Sequence, residues 1–146
     1  MGLHLRLATD ADIDFAYDTR KVSMRESVEA AYGTWDEADQ RARHAEAWRG
    51  ESVVEIIERA DQRIGWVGTS QTEETLSIDG LYVLPEHQGG GVGTWAVGQM
   101  EARADRSGRK LTLSVLKVNP AVNLYKRLGF RTSSESKTHW FMALRA

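Results

Sequence analysis

The chain has 146 residues, 41% hydrophobic and 27% charged, with a net charge of -2, a balance that suits one globular domain with a sizeable core. So small a charge supplies no basic field for nucleic acid, and the absence of cysteine excludes disulfides, a thiol nucleophile and thiolate metal sites. No apolar run approaches the roughly 20 residues of a membrane span, and the start, Met1-Gly-Leu-His-Leu-Arg, has no signal-peptide apolar region. A cytoplasmic location without a membrane partner is therefore expected, and with no repeat, low-complexity stretch or Pro-rich linker, residues 1–146 read as one domain.

In chain order, Leu3, Leu5 and Leu7 alternate with His4 and Arg6 as a first strand. Thr9 to Asp12 fits a capping box for a helix whose apolar face begins at Ile13, Ala16 and Tyr17. The pattern fades towards Met24, and Glu26 to Tyr32 reads as a separate short helix stopped by Gly33. Asp36 to Trp48 is a further helix, with Gly50 as its stop. Ser52 to Arg59 and Arg63 to Ser70 read as a hairpin around Asp61-Gln62. Thr75 to Leu84 is the next strand, apolar on both faces towards its end, as a central strand would be.

That strand stops at Pro85 and is followed by a turn containing Gly89, Gly90, Gly91 and Gly93. Val92, Trp95, Ala96 and Met100 then recur at helical spacing, to about Asp105, with Ser107-Gly108 as the end. Leu111, Leu113 and Val115 form another strand. Ala121, Leu124, Tyr125 and Leu128 make a helical stripe closed by Gly129. Phe130 to Ser133 and His139 to Leu144 are final antiparallel strands. The class is a mixed α/β sheet with the glycine turn near its middle.

A glycine turn at a helix entrance presents unpaired N–H groups and the positive end of a helix dipole, which suits a phosphate or pyrophosphate. The P-loop is excluded, because Gly93 is followed by Thr94 and Trp95 rather than Lys and Ser or Thr. The dinucleotide pattern matches formally as Gly91-x-Gly93-x-x-Ala96, but Pro85 to Gly90 separate it from the strand and no acidic residue closes the next one.

Gln88-x-x-Gly91-x-Gly93, directly after Leu81-x-Val83, instead resembles the acetyl-CoA signature of the GCN5-related N-acetyltransferases (GNAT family). Asn119-Pro-Ala-Val-Asn-Leu-Tyr125-Lys-Arg-Leu-Gly129-Phe130 is a second match in the family's order. The resemblance implies a GNAT-like fold: a central, mostly antiparallel sheet with a splayed strand pair near Val83 and Val115, flanked by helices, with acetyl-CoA in the gap. It implies direct, ternary-complex transfer of an acetyl group to a primary amine. Homodimers are common in the family, although no stretch of this chain marks an interface.

That chemistry assigns expected roles. The backbone amides of Gly89, Gly90, Gly91, Val92, Gly93 and Thr94 would hold the pyrophosphate, with the Gln88 side chain as a further donor. Backbone groups of Leu81 and Val83 would pair with the pantetheine amides as an added strand does, and the Val83 N–H could polarise the thioester carbonyl. Asn119 matches a position on the arm. Tyr125 matches the family's general acid for the leaving thiolate. Asp79 is the candidate base: on a strand it shares a face with Leu81 and Val83, and the resemblance points to the same position. His87 reads as a loop residue and His139 as strand packing that could reach the site; His4 and His44 carry no pattern, and no metal is expected.

Upstream, Glu26, Glu29, Tyr32 and Trp35, with Asp36 and Glu37, combine carboxylates with aromatics, a mixture suited to a cationic amine. They are the candidate acceptor residues. Polyamine, amino acid, aminoglycoside-like drug and protein N-terminus all remain open as acceptors. A non-catalytic acyl-CoA-sensing domain is the rival class, and a dinucleotide-dependent oxidoreductase a distant third.

Overall fold

The computed structural model describes residues 2–50 and 52–144. Among them are seven strands in one sheet: β1 (Leu3–Leu7), β2 (Val53–Arg59), β3 (Gln62–Gln71), β4 (Thr75–Val83), β5 (Lys110–Leu116), β6 (Phe130–Glu135) and β7 (His139–Leu144). Their order is β1-β2-β3-β4-β5-β7-β6. The β4–β5 pair is parallel, and the other neighbours are antiparallel. Four α-helices cover the sheet: α1 (Ile13–Tyr32), α2 (Glu37–Trp48), α3 (Val92–Ser107) and α4 (Val122–Arg127).

The helices divide between the two faces. Ile78, Leu111 and Leu113 pack with Val97, Met100 and Ala104 of α3 and with Val122 and Tyr125 of α4. On the other face Ala16 of α1 meets Ile56 and Trp66, and Tyr17, Met24 and Val28 surround Trp35. The segment from Ile13 to Tyr32 is one helix of 20 residues, where the sequence pattern predicts two. Tyr17, Met24 and Val28 are buried on one stripe, and Arg20 occupies the position between Tyr17 and Met24 where periodicity leads one to look for an apolar residue. Tertiary packing of the stripe carries the helix through its polar middle. The Asp36 side chain caps α2 by accepting from the Asp39 N–H at 3.0 Å.

Two irregularities in β4 make the site. Gly68 is opposite Gly80 and Thr69 opposite Ile78, so Asp79 is an extra residue, a β-bulge. The bulge shifts the alternation: Ile78 and Leu81 pack towards the α3 side, while Asp79, Gly80 and Tyr82 line a cavity under α1 and α2. Asp79 therefore does not share a face with Leu81 and Val83, contrary to the period-2 expectation, because a bulge reverses the side-chain phase beyond it. Next to the bulge the parallel register with β5 ends, at Ile78 opposite Leu113. Past that point β4 keeps its bonding to β3, with Leu81 opposite Val67, and β5 keeps β7, with Val115 opposite Trp140. The sheet is open between them.

Candidate active site

The phase of the β3–β4 ladder decides what faces the opening. Leu84 donates to the Ile64 carbonyl at 2.8 Å. In an antiparallel ladder the bonded residues alternate, so Tyr82 is the next to bond β3, and Leu81 and Val83 turn their N–H and C=O groups towards the gap. The Val83 carbonyl accepts from Gln88 Nε2 at 2.8 Å and from Ser23 Oγ at 3.3 Å. This fixes the Val83 peptide from both α1 and the loop. The expectation that Gln88 serves as a phosphate donor is thereby modified, since one of its amide hydrogens already holds β4.

After Val83, a single 3₁₀ turn at Pro85–His87 leads into the glycines. Gly89 and Gly91 have φ of 79° and 87°, the left-handed region where glycine carries no steric penalty. The first helical bond of α3 is from Trp95 N–H to the Gly91 carbonyl, 2.9 Å. The preceding amides of the turn are left without helical acceptors and open at the dipole's positive end. A Cβ on Gly89 or Gly90 would meet nothing within 4 Å, whereas one on Gly93 would lie 3.1 Å from Leu124 Cδ2. Gly93 thus admits α4 close to the entrance of α3.

A cavity of about 440 Å³ runs from this turn into the gap. It is lined by Leu81, Val83, Gln88, Gly89, Gly91, Val92, Gly93, Thr94, Asn119 and Tyr125. Gly90 belongs to the same turn but does not line the cavity. Ser23 and Met24 of α1, Tyr82 and Arg127 are wall residues that the motifs do not indicate. Asn119 uses its side-chain oxygen locally, accepting from the Ala121 N–H at 2.9 Å, and so fixes the turn into α4. Tyr125 is buried, with Phe130 edge-on at 5.9 Å. Burial, assisted by the Tyr82 phenol, pushes its hydroxyl well above the ordinary tyrosine value and keeps it protonated.

A second cavity, of about 240 Å³, lies on the α1–α2 side. The Asp79 carboxylate borders it and accepts from Ser52 Oγ at 2.8 Å and Ser70 Oγ at 3.1 Å. His44, Trp48, Trp66 and Tyr82 supply aromatic walls, with Arg20 and Arg43 among the lining. Gly68 and Gly80 leave room for the rings: a Cβ at Gly80 would sit 2.9 Å from the Tyr82 ring, and one at Gly68 3.2 Å from Trp66. His44 Nε2 bonds the Ile13 carbonyl at 3.2 Å, and burial lowers its pKa, so the neutral ring is favoured. Tyr82 lines both cavities.

Glu26, Glu29, Tyr32 and Trp35, the four predicted acceptor residues, line neither of these two cavities. Glu26 and Glu29 border a surface groove with Asp18, Lys21 and Arg25, and Glu29 pairs with Arg25 at 3.4 Å. Tyr32 is exposed at the end of α1. Trp35 is buried, its indole donating to Glu37 Oε2 at 3.0 Å and to the Tyr17 hydroxyl at 3.2 Å. Because α1 continues unbroken to Tyr32, its C-terminal residues are carried past the cavity, and residues from earlier on α1 and from α2 take their place. His87 falls in the 3₁₀ turn, and His139 bonds Thr138 and stacks on Phe141; neither lines either cavity.

The parted strands and glycine turn define a class, and comparison with known proteins names it. The model of the acetyltransferase (GNAT) family matches residues 21–130. This span is most of the chain, and the protein belongs to that family. The fold is similar to that of the PaiA N-acetyltransferase from Thermoplasma acidophilum, solved in complex with coenzyme A (14% identity, 100% of both chains covered, TM-score 0.79). It is also similar to an acetyltransferase from Thermus thermophilus (20% identity, 98% of this chain and 96% of that one, TM-score 0.77). A third likeness is to the ribosomal-protein-S18-alanine N-acetyltransferase of Escherichia coli (16% identity, 97% and 92%, TM-score 0.72). No curated protein sequence matches the chain significantly.

Proposed function

We propose that this protein transfers an acetyl group from acetyl-CoA directly to a primary amine, with donor and acceptor meeting at Tyr82 between the two cavities. The observation that carries this reading is the parting of β4 from β5 at the Asp79 bulge, which opens one cavity from the phosphate-type turn and leaves another beside a carboxylate. The coenzyme A bound by the similarly folded Thermoplasma enzyme supports it. Acetyl-CoA would supply an activated acyl carbon on a thiolate leaving group.

The protein's own residues do the rest. Gly89 to Thr94 present backbone amides for a pyrophosphate. Leu81 and Val83 offer strand-edge groups to the pantetheine amides, and the Val83 N–H is aimed into the gap to polarise the acyl oxygen. Gln88 and Ser23 hold that peptide in place from its carbonyl side. Asp79 takes one proton from the acceptor ammonium, freeing its lone pair. Tyr125, kept protonated by burial, gives a proton to the departing sulfur and is restored by the second proton that the nitrogen sheds.

CoA release with a panel of amines tests these roles. Tyr125→Phe is expected to lower kcat about 100-fold or more, the scale of a lost general acid. Asp79→Asn is expected to lower kcat at neutral pH and to recover as rising pH deprotonates the amine. Full turnover by Tyr125→Phe across the pH range would remove the assigned acid. Tight acetyl-CoA binding with no release to any amine would favour a sensing domain instead.

A further inference from the structure

We infer that the acceptor is a small amino acid, a primary amine that also carries a carboxylate, bound with its amine at Asp79 and its carboxylate at Arg20. This rests on the acetyl-transfer reading and specifies its acceptor.

The second cavity holds two opposite charges, neither of which the protein neutralises. Asp79 is held by two serine hydroxyls, and no Lys, Arg or His of the described residues pairs with it. Arg20 donates to the neutral Gln40 side chain at 2.9 Å and lies over the Trp35 ring at 5.6 Å, and no described carboxylate pairs with it either. The neighbouring Arg43 differs, being tied to Asp39 at 2.9 Å. Asp79 is open to solvent at the mouth of this cavity, free to meet an ammonium, whereas Arg20 is half-buried, and a half-buried ion without a counter-ion is costly. Arg20 moreover interrupts the buried stripe of Tyr17, Met24 and Val28, where an apolar residue would stabilise α1 better.

A ligand bearing both charges satisfies both groups. Guanidinium holds a carboxylate through two parallel bonds, and Asp79 is placed to hold an ammonium before taking its proton. Trp48 and Trp66 give the lining apolar surface on which a ligand's body can rest. At about 240 Å³ the cavity is smaller than the roughly 300–1,000 Å³ typical of drug-sized ligands. A polyamine would bring its second cation to Arg20, and a peptide N-terminus has no carboxylate next to its amine. The charge pattern disfavours both.

The test compares leucine, phenylalanine and 4-aminobutyrate, each with its uncharged-carboxamide counterpart, and spermidine, as acceptors for acetyl-CoA. At least one acid is expected to exceed its amide at least tenfold in kcat/KM, although an α-carboxamide lowers the amine pKa and would otherwise favour the amide. Arg20→Gln is expected to abolish that preference mainly through KM, and Arg20→Lys to restore part of it. Calorimetry of the same acids and amides with the CoA-loaded protein should show the same order without turnover. Amides or spermidine used as well as the acids would overturn the inference and leave acetyl transfer standing. Turnover of no amine, with acetyl-CoA still bound, would instead remove the acetyl-transfer reading beneath it. The wild-type comparison decides even if the Arg20 variants fail to fold.

Discussion

The Asp12 carboxylate is buried and gathers two guanidinium groups. Arg6 meets it through two bonds, at 2.8 and 2.9 Å, Arg63 adds one at 3.2 Å, and the Thr9 N–H another at 2.9 Å. These partners, Arg6 first, hold its pKa far below the ordinary 3.8. A depressed carboxylate stabilises the fold above its unfolded pKa and loses that contribution as pH falls through the folded value. Asp12→Asn should therefore cost about 2 kcal/mol at pH 7, less than the roughly 3–5 kcal/mol of a fully buried broken pair because the arginines are partly solvated. The wild-type advantage in thermal melts should shrink only below about pH 4, as the wild-type carboxylate protonates. An equal gap at pH 7 and at strongly acid pH would contradict the ion-pair account. Glu37 follows the same sign: Lys21, Tyr17 and Trp35 hold its pKa at about 2, and their bonds tie α2 to α1. At this scale the sequence exposed the types of residue but not their employment. Trp35 and the α1 carboxylates looked suited to an amine, yet the indole is a buried donor and Glu29 is a surface partner of Arg25. The residues that do line the second cavity come from α1, α2, β2, β3 and β4, a convergence no local pattern records.

At the scale of elements, β4 and its neighbours set the opening, and Gly65 is where they are tightest. A Cβ there would lie 2.4 Å from the Tyr82 carbonyl oxygen and 3.2 Å from the Val83 Cα, both backbone atoms that cannot swing aside. Gly65→Ala is expected to destabilise the protein by about 2–4 kcal/mol, on the scale of overpacking compounded by a disturbed ladder. It should also weaken acetyl-CoA binding by shifting Val83. An unchanged melting temperature in Gly65→Ala would show that β3 and β4 are not held at this spacing. Most elements were legible: β7 matches its predicted bounds, α2 begins one residue after its predicted start, and the glycine turn opens α3 as expected. Two features were not. The bulge at Asp79 has no signal within β4, because it depends on the register with Gly68 across the ladder. The continuity of α1 was hidden by Arg20, whose charge breaks the apolar stripe that the packed helix nevertheless follows.

For the molecule as a whole, the order of strands was out of reach of the sequence, but the parting of the central pair was not. The match at Leu81 to Gly93 and at Asn119 to Phe130 implied it, and the register ending at Ile78 and Leu113 realises it. The splay opens the sheet between β4 and β5, and Tyr82, past the last residue of β4 paired with β5, lines both cavities. Among the described residues no helix is long and apolar enough to cross a membrane. A ligand that binds the folded state alone stabilises it by about 2.7 kcal/mol at 100 times its Kd. Acetyl-CoA should therefore raise the melting temperature in a concentration-dependent way. The most direct measurement is calorimetric titration of the purified protein with acetyl-CoA, with NAD as the control. Saturable one-to-one binding of acetyl-CoA, and none of NAD, is the result expected from the glycine turn and the open strand edge. Failure to bind acetyl-CoA at high micromolar concentration would contradict the donor site and, with it, the roles given to Tyr125, Val83 and Asp79.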